Sequence, residues 1–215
     1  LYLKTEGADF KRQNEVLAAL RELKEFDSRW DVDILRIHTE VTPPQSLPPD
    51  QGAILARIER ELTSASEALG SPVLARSLPD LGAAISQKAA MLEKFRHANA
   101  AARQALAEVV ASDAEIAGLV RGSWRDFRER DRLVAAESAA VSLIAESQRY
   151  YLTPGDERRA IIESILTDLR KAGPRLAPAL RAGLERLDQR VRRLLETKPG
   201  EQELFTRLNF MTAGP

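Results

Sequence analysis

Apolar residues recur every three or four positions along most of the chain, and this spacing places them on one face of an α-helix. No segment alternates with a period of two for long enough to predict a strand. The pattern predicts an all-α protein of about six helices. The first two cover residues 3–41 and 51–69, and the third starts at about Pro79. The fourth starts at about residue 124 or 130 and ends at 152, and the last two cover residues 157–171 and about 174–196.

Proline and glycine divide this pattern into segments. TPPQSLPPD (42–50) contains four prolines in nine residues and ends the first helix. TPGD (153–156) is a strong turn and capping signal, and Gly173-Pro174 precedes the last long helix. Residues 112–130 are less regular, with a short helix and a turn at RGS (121–123). Pro199-Gly200 predicts a kink or break near the end of the chain.

The order and lengths of the helices predict an elongated double helical bundle. We expect residues 1–111 to form the first bundle with residues 174–215 packed on it, and residues 112–173 to form a second, distal bundle. The long N- and C-terminal helices would then lie side by side. No repeat of 33–45 residues is evident, which excludes the common helical repeat arrays.

Composition narrows the class of protein. The chain has 215 residues, of which 44% are hydrophobic and 30% charged, with a formal net charge of zero. This mixture suits a folded protein and gives no general attraction to nucleic acid, so no nucleic-acid partner is expected. The sequence lacks cysteine, an apolar run of 18 residues and a signal peptide. Because it begins LYLKTEG without Met, we expect a piece of a longer protein, whose membrane anchor would lie outside it.

Motifs for catalysis are missing from the sequence. The two histidines, His38 and His97, stand in no HExxH or ExxH arrangement, and no phosphate-binding glycine loop or nucleophile elbow occurs. Paired carboxylates on arginine-rich helices are usually solvated ion pairs. We therefore expect a non-catalytic chain without a metal or other cofactor.

Two places in the sequence set polar residues within an apolar helical stripe. In FDSRWDVDILRIHTEV (26–41), Asp33 follows Trp30 by three positions, and Arg36 flanks the same face. In EKFRHANAAARQAL (93–106), Asn99 and Arg103 continue the stripe of Phe95 at four-residue steps. A buried polar side chain needs a hydrogen-bond partner. The alternatives are an internal network that fixes helix register and a polar pocket that a small ligand completes.

The same segments resemble the DAHL domains, which are double all-helical ligand-binding modules of bacterial receptors. FDSRWDVDILRIHTEV and the proline-rich break after it resemble the opening of that family. EKFRHANAAARQAL is similar to the family pattern FKxxNAxLRNSL, although Gln104-Ala105 stand where the pattern has Asn-Ser. LDQRVRRLLETKPGEQELFTRL (187–208) is similar to its closing segment, with Asp188 in place of a histidine.

This resemblance implies an extracytoplasmic, periplasmic sensor domain between two transmembrane helices, most often in VirA-type sensor histidine kinases and sometimes in chemoreceptors. It implies a small-molecule ligand or a periplasmic binding protein as partner, a homodimer in the parent receptor, and membrane anchoring through segments outside this chain. Under this hypothesis, the candidate ligand-binding residues are Trp30, Asp33, Arg36, Asn99 and Arg103. There are two competing hypotheses. One is a cytoplasmic helical scaffold that binds a protein partner, and the other is an enzyme.

Overall fold

The computed structural model describes residues 2–39, 51–123 and 130–211, and side chains from residue 10 onward except that of residue 51. Within these ranges the protein consists of helices and contains no strand, which confirms the predicted all-α class. The helices are α1 (Tyr2–Thr39), α2 (Gln51–Leu69), α3 (Pro72–Ser123), α4 (Arg130–Leu152), α5 (Asp156–Ala172) and α6 (Pro178–Phe210), with a short 3-10 helix at Gly173–Arg175.

Two helices are longer than the sequence pattern predicts. Helix α3 begins at Pro72 rather than near Pro79, and it continues without a break through the segment 112–123. Helix α6 passes through Pro199 instead of ending before it. An internal proline removes one helical hydrogen bond. The apolar stripes continue on both sides of Pro79 and Pro199, and their burial maintains the helix. The proline-rich segment 42–50 lies outside the described residues.

Tertiary contacts group the chain into two units. One contains residues 1–96 and 204–215, and the other contains residues 97–203. Helices α3 and α6 contribute residues to both. The division predicted from the sequence, with residues 112–173 as a separate bundle, stays a prediction, because a grouping of contacts does not establish which segments fold on their own.

The first unit combines α1, α2, the N-terminal half of α3 and the end of α6. Trp30 is 2% exposed and meets the ring of Phe26 edge to face, with the centroids 4.9 Å apart. Near the end of α6, Phe205 stacks on His38 of α1 at 3.6 Å between ring centroids, and Leu208 is buried in the same cluster. The last turns of α6 therefore pack directly against α1.

The second unit combines the C-terminal half of α3 with α4, α5 and most of α6. One buried cluster joins all four helices, including Val109, Leu143, Leu166 and Leu187. Helix α5 begins at Asp156, the last residue of TPGD. It has acidic residues in its first turn and basic residues in its last turn, which complements the helix dipole. Within the described part of the chain, no helix is both long and apolar enough to cross a membrane.

A buried lysine joins α1 to α3 in the first unit. Lys88 is fully buried, and its ammonium donates hydrogen bonds to Asp27 and Asp31, with Nζ 2.8 Å from Oδ1 of Asp31. Burial lowers the pKa of Lys88, but the hydrogen bonds and charges of the two carboxylates raise it by more, so the net shift is upward. The lysine therefore stays charged in the core.

We expect Lys88→Met to destabilise the protein by about 1–3 kcal/mol, because both carboxylates lose their partner. The effect should stay below the roughly 3–5 kcal/mol typical of a fully buried orphaned charge, since the Asp27 and Asp31 side chains are 22% and 55% exposed. Urea unfolding at pH 7 measures this loss of stability.

The contribution of Lys88 to stability should depend on pH. Because the pKa of Lys88 is raised, this contribution is complete below the ordinary value of 10.5 and is lost as the pH rises through the shifted value.

Lys11→Met is the matched control, because Lys11 lies on α1 with an 80% exposed side chain and should change stability by less than about 0.5 kcal/mol. Asp27→Asn should cost more than Asp31→Asn, because the Asp27 side chain is the more buried. Equal effects of Lys88→Met and Lys11→Met would show that the buried ion pair does not hold α1 against α3.

Candidate functional site

Three of the predicted site residues lie together on α1. Trp30, Asp33 and Arg36 line a surface cavity of about 580 Å³ that also contacts Ile54 of α2. Trp30 is buried, Asp33 is half-buried and Arg36 is exposed. The cavity thus has an apolar base with three carboxylates and two guanidinium groups around it. This arrangement suits a polar molecule that also offers an apolar face.

Asp33 also influences a half-buried cation in the same unit, Arg96. Burial lowers the pKa of Arg96, while the negative charges of Glu93 and Asp33 oppose that shift. Arg96 pairs directly with Glu93, with Nη1 3.2 Å from Oε1. Asp33 is therefore part of the electrostatic environment of Arg96 as well as a wall of the surface cavity.

Asn99 belongs to a buried polar network in the second unit. Its side-chain amide donates a hydrogen bond to Glu201 on α6, with Nδ2 3.3 Å from Oε1. Lys198 donates to the other oxygen of the same carboxylate at 2.6 Å. The ammonium of Lys198 also lies 4.2 Å from the ring centroid of Tyr151 on α4, within the range of a cation–π interaction. We call these four residues the α3–α4–α6 network.

All members of the α3–α4–α6 network are at most 3% exposed. An ion pair in a low-dielectric interior is retained only where hydrogen bonds and geometry offset the cost of desolvation. The amide of Asn99 and the ring of Tyr151 supply such contacts to the carboxylate and to the ammonium. The network therefore fixes the register of three helices, and any change in their packing must rearrange a buried charge pair.

The five predicted residues divide between the two units. Trp30, Asp33 and Arg36 belong to the first, while Asn99 and Arg103 belong to the second, where Arg103 is half-buried. Asn99 has a partner on a facing helix, as an internal network requires. A shared role of these five residues in binding a ligand stays a prediction.

Lys198 and Glu201 were not predicted as site residues, although their positions in the sequence carried a signal. Along α6, the apolar stripe advances by alternating steps of four and three residues, and these two residues occupy steps within it. The stripe is Leu187, Val191, Leu194, Lys198, Glu201, Phe205 and Leu208. Charged residues are usually solvated, so a position in the stripe was the only sign of their burial.

The arginine-rich part of α6 is paired with acidic residues of α3. Arg186 and Arg190 both bind Glu115, and the distance from Arg190 Nη1 to Glu115 Oε2 is 2.9 Å. Their hydrogen bonds lower the pKa of Glu115. Arg193 lies 3.3 Å from Glu108. The pairs of Arg186 and Arg193 are exposed, and that of Arg190 is half-buried.

In the part of the chain that the structure describes, no group of three or more His, Asp or Glu side chains is positioned to hold a metal ion. Burial raises the pKa of Tyr150, whose ring belongs to the second unit's core.

Comparison with known proteins gives the family. The model of the DAHL domain matches residues 8–210, which is nearly the whole chain. No curated protein and no solved structure matches. The match confirms the resemblance predicted from the sequence, and the all-helical architecture agrees with it. The chain therefore belongs to the DAHL family of sensor domains.

Proposed function

We propose that this chain is the extracytoplasmic signal-input domain of a membrane-bound two-component histidine kinase. The observation that carries the proposal is the match of a sensor-domain family to residues 8–210. The packing of α1 against the end of α6 supports it, because both segments lie together in the first unit. The parent protein would place its membrane-spanning segments outside this chain and act in the periplasm as a homodimer.

In this proposal, binding shifts the population between two packings of the helices. A small molecule or a periplasmic binding protein that prefers one packing biases the equilibrium by its differential affinity. The candidate ligand contacts are Trp30, Asp33 and Arg36 within the first unit, and Asn99 and Arg103 within the second. Binding of a small molecule to the purified domain would indicate direct sensing. Binding of a periplasmic binding protein would indicate sensing through that protein.

The α3–α4–α6 network offers a route for the transmitted change. Lys198 and Glu201 precede Phe205 by one to two turns on the same continuous helix. A change in the partners of their charges would move or rotate α6, and Phe205 would carry that movement to His38 of α1. Helix shifts of about 1–2 Å are sufficient for such switches.

The topology of the parent protein tests the proposal directly. We expect its reading frame to encode apolar segments of about 20 residues on both sides of this domain, with a histidine kinase downstream. Alkaline phosphatase, which is active only outside the cytoplasm, should be active when fused within the parent after Leu152. A β-galactosidase fusion at the same point should be inactive. The reverse pair of activities would contradict the proposal and favour a cytoplasmic helical scaffold.

Asn99→Leu separates a structural role from a ligand-binding role. We expect a loss of about 1–3 kcal/mol in the free energy of unfolding, because Glu201 loses a donor while buried. Urea unfolding of the purified domain measures this loss. Gln104→Leu is the matched control, since that amide is exposed and bonds only to Glu108 on its own helix among the contacts described.

The same variant is then placed in the parent receptor and assayed at a temperature where it remains folded. If Asn99 contacts the ligand, the response is abolished while the Gln104→Leu receptor responds normally. A folded and fully responsive Asn99→Leu receptor would remove Asn99 from the ligand-binding set and leave it a purely structural residue of the network.

A further inference from the structure

The first unit contains a second cavity, separate from the surface cavity beside Trp30. It measures about 370 Å³ and lies between α1, α2 and the start of α3. Its walls are mainly aliphatic and include Leu23, Ile58, Leu62, Leu78 and Ile85. Cavities of 300–1,000 Å³ with apolar walls and few polar groups are typical of small-molecule sites. An engineered cavity of about 150 Å³ already binds benzene.

A buried hydroxyl without a partner belongs to this cavity. Ser66 of α2 lines it and is 4% exposed, and among the described residues no group forms a hydrogen bond with its Oγ. The buried serines of the second unit differ, because Ser112 and Ser147 donate to the carbonyl four residues earlier, at 3.1 and 2.7 Å. A buried hydroxyl without a partner costs about 1–3 kcal/mol. A polar group bound in the cavity would remove that cost.

Pro79 makes a second polar feature in the wall. In a regular helix, the N–H of residue 79 donates a hydrogen bond to the carbonyl of Ala75. Proline has no N–H, so this bond is missing from α3. Both residues line the cavity. The break in the hydrogen-bond ladder thus falls where the cavity meets α3, and it leaves the carbonyl of Ala75 without its regular helical donor.

The charges around the cavity limit the chemistry of its ligand. Glu59 and Glu67 line it, whereas no lysine or arginine does so among the described residues. The carboxylate of Glu59 lies over Gly82, where Oε1 would be 3.0 Å from an added Cβ. An anionic ligand would meet two carboxylates without a compensating cation. A cation would lose its hydration against the aliphatic walls, whereas Glu59 and Glu67 are exposed and keep theirs. An uncharged ligand has neither penalty.

We propose that this cavity is a binding site for a small, uncharged and largely apolar molecule that carries one hydroxyl or carbonyl group, which pairs with Ser66. Binding does not depend on the proposed function. Only its use as an input signal rests on the sensor role. The residues that line this site differ from those of the surface cavity beside Trp30, so the two sites can be tested separately.

The test uses the whole domain and three probes that share one ring: cyclohexanol, cyclohexylamine and cyclohexanecarboxylate. Binding is followed by NMR titration of the backbone amides, with Ser66 and Gly82 as reporters. We expect saturable shifts centred on these residues for cyclohexanol and none for the carboxylate. Saturable binding of the carboxylate, stronger binding of the amine than of the alcohol, or shifts spread over the surface would overturn the proposal.

Two substitutions test the role of Ser66. Ser66→Ala should weaken cyclohexanol binding roughly 3- to 10-fold, the value of one hydrogen bond. Ser66→Leu should abolish binding by filling the cavity. Ser64→Ala is the matched control, because Ser64 is exposed and does not line this cavity. Circular dichroism verifies that each variant is folded.

An unchanged affinity of folded Ser66→Ala would show that the hydroxyl does not recognise the ligand, and binding to folded Ser66→Leu would show that the cavity is not the site. Either result overturns this inference while leaving the membrane topology of the parent untouched. A cytoplasmic topology would instead contradict the proposed function and leave the binding result intact.

Discussion

The structure depends on the pairing of buried charges inside long helices. Lys88, Lys198 and Glu201 all occupy interior positions, and each carries a charge that water does not reach. An unpaired charge in such a place would cost several kcal/mol. Each pairing therefore fixes how one helix lies against another: α1 against α3 in the first unit, and α3, α4 and α6 in the second.

This constraint separates the two kinds of polar contact in the protein. Arg186 and Glu115 form an exposed ion pair that adds little stability and tolerates change. The Lys198–Glu201 pair is enclosed by Asn99 and Tyr151, and it allows few other helix arrangements. In the proposed sensor role, the domain would shift between a small number of defined packings. Each of those packings would have to satisfy the same enclosed charges.

Much of the fold could be predicted from the sequence because its apolar period is regular. Helices α2, α4 and α5 begin and end within a few residues of the predicted positions. The ends of α3 and α6 could not be predicted from local rules, since Pro79 and Pro199 normally interrupt a helix. Burial of the stripes on both sides decides those cases, and burial is a property of the assembled core.

The candidate sites were less predictable for a different reason. Asn99 was recognisable because an amide in an apolar stripe is conspicuous, whereas Lys88 was not identified although it continues the stripe of Ile85 and Leu92. The residue type of Lys88 gives no sign of burial, and only its position in the stripe does. The cavity beside Ser66 has no sequence signal, because it arises only when α1, α2 and α3 meet.

The arrangement of Lys88 has a consequence for movement. Its two acceptors, Asp27 and Asp31, are four residues apart and so lie one above the other along α1. If α1 translated along α3 by one turn, about 5.4 Å, the lysine would lose one of its two carboxylates and keep the other. Separation of the helices, or rotation of α1 about its axis, would leave it with neither. The paired acceptors therefore oppose rotation and separation of the two helices more strongly than they oppose sliding.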